Sequence, residues 1–225
     1  LSQIKKLIQS AKNDLSKIKQ KKLIDLSQII DQNMPVYPGD ISTKVEQDHN
    51  LTEDGYVNHN LTMGVHSGTH LDLPAHMLAS KLTAADISLN QLSGRAVIIN
   101  ATEQKVISWQ SQYDSLIRAG DRVLIYTGFD QKYGSNEYYQ EHPALDLDLT
   151  RHLADKKITL LGIDFPSPDY FPFPVHKQLF QTGIYILENL CNLDKLIQYS
   201  SFKLLVFPLK VTAEAAPCRV AAQLD

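Results

Sequence analysis

Five short apolar runs constrain this chain more than any other feature. GRAVIINAT (94–102), RVLIYTG (122–128), ITLLGID (158–164), GIYILEN (183–189) and FKLLVFPL (202–209) are dominated by Val, Ile and Leu. Runs of this length and make-up suit strands buried on both faces. Between them lie segments with helical spacing. Residues 104–119 end at Gly120, DLDLTRHLADKK (146–157) has Asp and Thr available as caps, and VHKQLFQ (175–181) and NLDKLIQY (192–199) follow. Alternation of this kind predicts an α/β fold, with FKLLVFPL as its closing strand. KLIDLSQII (22–30) reads as an opening strand, MPVYPGD (34–40) as a turn, and VNHNLTMGV (57–65) as a strand leading onward. No repeat or linker divides the body, so a single domain over residues 23–225 is expected.

Residues 1–22 differ from that body. They carry seven lysines against one aspartate, and Ile4, Leu7, Ile8, Ala11, Leu15 and Ile18 recur at three- and four-residue steps. This pattern predicts a basic amphipathic helix. No Trp or Phe anchors its apolar face, so the helix is expected to pack on the body or on a partner subunit, not on a membrane. A formal net charge of −3 argues against a nucleic-acid partner for the whole chain. No apolar run approaches the roughly 18 residues of a membrane span. Cys191 and Cys218 lack CxxC spacing and form no disulfide framework. With no targeting signal recognised, a cytoplasmic location is expected.

VNHNLTMGV leads into HSGTHLDLPAH (66–76), which places His66, His70, Asp72 and His76 on even positions and Leu71, Leu73 and Ala75 between the later three. Fully extended, residues 66 and 72 would lie about 20 Å apart, too far to share an ion held at about 2 Å. The chain must coil there. Gly68 permits a tight turn, one helical turn would bring His66 and His70 onto one face, and Pro74 ends any helix. Imidazole and carboxylate together suit Zn²⁺, and also Mn²⁺ or Fe²⁺. If His66, His70 and Asp72 hold the metal, His76 is left as a free imidazole able to exchange protons near neutral pH.

HxGTHxDxPxH resembles the signature of the metal-dependent cyclase-like hydrolases, the family of bacterial kynurenine formamidases and isatin hydrolases. IDLSQII, MPVYPGD, GDRVLIYTGF with a following HPAL, LGIDFPSPD, VHKQLF, ILENL and PCRVAA fit the same family in order. The resemblance covers the chain from about residue 23 and implies a mixed β-sheet with packed helices, of the swivelling β/α type. It implies His66, His70 and Asp72 as metal ligands and His76 as the proton shuttle. His176 and Glu188 are implied to hold a second ion, and Tyr37 stands where an aromatic residue contacts an aryl substrate. His49, His59, His142 and His152 match no ligand position.

The implied cofactor is a divalent metal, one or two zinc ions with manganese as an alternative. The implied activity is amide hydrolysis by metal-activated hydroxide, with N-formylkynurenine as the leading small-molecule substrate. Hydrolysis of a cyclic amide or lactone is the alternative, and metal binding without catalysis a third reading. The family's habit implies a homodimer or a higher homo-oligomer. Tyr37 replaces the commoner Trp, Met77 replaces an aromatic residue, and AEAAPCR (213–219) lacks the family's usual glycines.

Overall fold

A computed structural model describes residues 21–224. In chain order its strands are β1 (Lys22–Asp25), β2 (Lys44–His49), β3 (Asn58–Thr62), β4 (His70–Asp72), β5 (Gly94–Asn100), β6 (Val106–Ile107), β7 (Arg122–Tyr126), β8 (Ala144–Leu145), β9 (Leu160–Ile163), β10 (Tyr185–Glu188), β11 (Phe202–Pro208) and β12 (Ala215–Leu224). The main sheet runs β1-β12-β11-β5-β7-β9-β10-β4, and β4 pairs again with β12. That last pairing closes all but β1 into a barrel-like ring. The pairs β5–β7, β7–β9 and β9–β10 are parallel. Those of β4, β11 and β12 are antiparallel, so the sheet is mixed, as expected.

The apolar runs are continuous because both faces of the parallel strands are covered. Ala96, Ile98, Leu124 and Leu160 join one core cluster with Leu71, Leu187, Leu204 and Val220. Val97, Ile99, Val123, Ile125, Leu161 and Ile163 join a second. The second core is completed by Leu149 and Leu153 from the helix Leu147–Asp155 and by Val175, Leu179 and Phe180 from the helix Pro174–Gln181. Asp146 caps the first of these helices by accepting from Leu149 N at 2.7 Å. Gly162 marks a close approach within the first core. A Cβ there would lie 2.4 Å from Leu124 Cδ2 and 2.8 Å from Leu190 Cδ1, both side chains being buried. Gly162→Ala is therefore expected to cost about 1–3 kcal/mol, read as a lower denaturation midpoint at unchanged slope.

The structure departs from the sequence-based expectation in several places. Residues 104–119 are not a helix. Val106–Ile107 pairs in parallel with β8, and only Tyr113–Leu116 forms a helical turn. The apolar pairs at 106–107 and 116–117 are separated by a polar stretch, so no continuous apolar stripe exists to bury. NLDKLIQY forms only a short 3₁₀ turn over Leu193–Leu196. FKLLVFPL is a strand but not the last one, since β12 follows and pairs with β11, β1 and β4. Its small residues and Pro217 carry little strand propensity. The helix expected over residues 1–22 lies outside the described residues except at its last two positions, and Lys22 is already in β1. Among the described residues no helix is long and apolar enough to cross a membrane.

Candidate active site

The site grows from β4. Every residue of this strand is buried. On one side Glu188 of β10 stands opposite His70, and on the other Ala215 of β12 stands opposite Asp72. His70 and Asp72, two residues apart on a strand, project to the same face. The chain enters β4 through a turn in which Ser67 N donates to Gly64 O at 3.2 Å and Gly68 takes φ +66°. It leaves through the 3₁₀ turn Pro74–His76, whose His76 N donates to Leu73 O at 2.9 Å. Coiling is thus achieved by a turn, a short strand and a 3₁₀ turn, not by a helical turn. His176 arrives from the first turn of the helix Pro174–Gln181.

These elements bring all six polar candidates together. His66 Nδ1 lies 2.8 Å from Asp72 Oδ1, and His70 Nε2 lies 3.2 Å from the same oxygen and 3.3 Å from Glu188 Oε2. His176 Nε2 lies 3.4 Å from Glu188 Oε1 and 4.0 Å from Asp72 Oδ2. The His76 ring centroid is 4.2 Å from that of His66 and 6.0 Å from that of His176. Despite this crowding, His70 Nε2, Asp72 Oδ1 and Glu188 Oε1 are buried without a hydrogen-bond partner among the described residues. Buried polar atoms left unpaired are costly. Atoms that converge yet do not bond to one another suit a cation between them. Among the described residues two donor groups satisfy that geometry, His66–Asp72–His76 and His70–Asp72–Glu188, each with ligand atoms within 4.8 Å of one another. Asp72 belongs to both.

The electrostatics point the same way. Burial opposes charge on His70, but the Asp72 and Glu188 carboxylates outweigh it and raise its pKa well above the ordinary value. Burial likewise opposes charge on His66 and His176. Asp72 raises the first above the ordinary value, and Asp169 with Glu188 raises the second to about 10. Burial would raise Asp72 and Glu188, yet the surrounding imidazoles hold both below the ordinary carboxylate value. The cavity thus calls for positive charge. His76 differs: burial, aided by His66 and His176, lowers its pKa against the pull of Asp72.

Two rings are oriented from behind. His70 Nδ1–H donates to Gly68 O at 2.9 Å, and His176 Nδ1–H donates to Asp169 Oδ1 at 2.6 Å. Each ring therefore turns its Nε2 toward the cluster. Asp169 is itself fixed by Val175 N at 2.6 Å. Asn189 donates to Gly68 O at 2.9 Å and accepts from Tyr138 Oη at 2.8 Å. Neither Asp169 nor Asn189 had been assigned a role from sequence, although both lie in segments that match the family, LGIDFPSPD and ILENL.

The cluster forms the floor of a cavity of about 260 Å³ whose walls include Tyr37, Met77, Tyr139 and Phe173. Tyr37 is held on a Pro-Gly turn, with Asp40 N donating to its carbonyl at 3.0 Å and Gly39 at φ +102°. Its ring meets Tyr139 edge-on at 5.5 Å. A larger cleft of about 420 Å³ beside β1 is lined by Lys22, Asp25, Lys195 and Tyr199 among others, and none of the histidines reaches it. His142 instead donates to Pro143 O and stacks on Tyr170, His152 stacks on Trp109, and His49 and His59 lie on the β2–β3 hairpin.

Residues 24–170 match the Cyclase family model. A kynurenine formamidase of Geobacillus thermodenitrificans (strain NG80-2) is 34% identical over 203 residues, covering 88% of this chain and 95% of that protein. One from Bacillus mycoides (strain KBAB4) is 32% identical over 201 residues, covering 87% and 94%. Among solved structures, a predicted metal-dependent hydrolase from Bacillus stearothermophilus superposes with a TM-score of 0.75 at 29% identity, over 91% of this chain and 99% of that one. Isatin hydrolase A from Labrenzia aggregata shares the fold, with a TM-score of 0.82 at 22% identity over 96% and 99% of the two chains. The site and these likenesses converge on one conclusion: this chain belongs to the cyclase-like family of metal-dependent hydrolases.

Proposed function

We propose that the protein is an arylformamidase that hydrolyses N-formylkynurenine to kynurenine and formate. The observation that carries this is the convergence of unpartnered His70 Nε2, Asp72 Oδ1 and Glu188 Oε1 beside His76, on the floor of an aromatic-walled cavity. The kynurenine formamidases among its relatives support the choice of substrate.

His66, His70, Asp72, His176 and Glu188 would hold the cation. Their mixed nitrogen and oxygen donors suit zinc, as one ion or two, with manganese as the alternative. Bound there, the cation polarises a carbonyl and makes water more acidic. His76 has no side-chain hydrogen bond among the described residues, and burial keeps its ring neutral at neutral pH. A free ring nitrogen of His76 takes the proton from the attacking water as oxygen bonds to the formyl carbon. It then returns that proton to the anilide nitrogen as the C–N bond breaks. Tyr37 and Tyr139 flank the aryl ring and hold it over the floor. The assembly is proposed to be a homodimer. All five residues of β3 are exposed, and among the described residues β2 and β3 pair only with each other, which supports a partner surface.

The test is formate release from N-formylkynurenine by protein loaded with Zn²⁺ or Mn²⁺, against a chelated control. Metal-dependent turnover is expected. Bound metal without turnover of this substrate would move the assignment to cyclic amides and lactones. Asp169→Ala removes the carboxylate behind His176 and is expected to weaken metal affinity by about 10–100-fold in a chelator competition.

A further inference from the structure

We propose that Glu214 is a positioning residue that keeps the proton of His66 on Nε2, so that His66 faces the cation through Nδ1 while His70 and His176 face it through Nε2. The inference rests on the metal-binding part of the proposed function but not on the identity of the substrate.

Three observations carry it. First, the backbone fixes where Glu214 stands. Ala215 is registered against Asp72, and Leu73 N donates to Glu214 O at 3.0 Å, so the residue is tied to the strand that bears the ligands. Second, Glu214 Oε1 lies 3.3 Å from His66 Nε2, in hydrogen-bond geometry, and among the described residues His66 is its only ion-pair partner. A carboxylate can only accept here, so the proton sits on Nε2. Third, His66 Nδ1 approaches Asp72 Oδ1 to 2.8 Å, and among the described residues that oxygen has no hydrogen-bond partner of good geometry. With a proton held on Nε2, Nδ1 is the nitrogen left to face a cation that both atoms can share.

His66 needs such help more than the other two rings. Its side chain is 23% exposed, against 2% for His70 and 3% for His176, so packing alone does less to fix its orientation. His70 is braced by a backbone carbonyl and His176 by Asp169. Glu214 completes the set with a carboxylate from the residue just before β12, in the segment AEAAPCR.

The experiment uses the zinc-loaded full chain and two readouts. Long-range ¹H–¹⁵N spectra of the imidazoles distinguish the protonated nitrogen from the ligating one, and chelator competition gives zinc affinity. His66 is expected to carry its proton on Nε2, with His70 and His176 carrying theirs on Nδ1. Glu214→Ala is expected to weaken zinc binding by about 10–100-fold. Glu214→Gln keeps an acceptor oxygen and is expected to stay within a few-fold of the wild type. Coordination of His66 through Nε2, or wild-type affinity in Glu214→Ala, would overturn the proposal. Wild-type protein that binds no zinc would overturn both this proposal and the metal reading. Tight zinc binding with the expected tautomers but no turnover of N-formylkynurenine would sink the substrate assignment and leave Glu214's role standing.

Discussion

Replacing His76 by alanine is expected to lower kcat on N-formylkynurenine by about 10²–10⁴-fold, the usual contribution of a positioned acid–base group, with metal content at the wild-type level. The reason lies in the contrast among the histidines. His66, His70 and His176 each have a ring nitrogen hydrogen-bonded to an oxygen that orients it. The His76 ring has none among the described residues, and of these four it is the one whose pKa ends below the ordinary value, because there burial outweighs the carboxylates. A lowered pKa keeps the base form populated below pH 6.5, so the acid limb of kcat/KM is expected below the ordinary histidine value and should vanish in His76→Ala. His76 also falls in a donor group with His66 and Asp72. Loss of metal from His76→Ala would make it a ligand instead and leave the proton transfer without its carrier.

The second large effect concerns Asp72. Zinc at 100 times its dissociation constant stabilises a folded protein by about 2.7 kcal/mol, which for a chain of this size raises Tm by about 5–10 °C. Asp72→Asn is expected to abolish that rise. The substitution keeps the shape but removes the one carboxylate common to both donor groups, and it risks turning an amide N–H toward the imidazoles. Thermal melts with and without zinc, on both proteins, give the answer without reference to turnover. A zinc-dependent shift of wild-type size in Asp72→Asn would mean that the cation is held elsewhere.

The fold was legible where burial writes itself into local pattern. β5, β7, β9 and β10 announce themselves because both of their faces are covered, β11 because its buried Phe202, Leu204 and Val206 alternate with the apolar Leu205 and Phe207, and the helices Leu147–Asp155 and Pro174–Gln181 because one face is. β12 was not legible. Its small residues and Pro217 are chosen for close packing in the ring and not for strand propensity. Residues 104–119 misled because apolar residues were present without the spacing that would put them on one face.

The site divides in a similar way. His66, His70, Asp72 and His76 could be grouped from their spacing, since they lie within one coiled stretch. His176 and Glu188 could not, because cross-strand register and helix docking bring them in from more than a hundred residues away, and only resemblance flagged them. Asp169 and Glu214 were less visible still. A residue that orients another leaves no local periodicity to find.

β4 is the strand at which the ring shuts, bonded to β10 on one side and β12 on the other. It also carries His70 and Asp72, with Glu188 facing it from one neighbour and Glu214 reaching in from the residue before the other. The seam of the barrel and the proposed cage for the cation are therefore the same object. Whatever parts these strands would also disperse the proposed ligands, and an ion held among them would act as the clasp that keeps the ring closed.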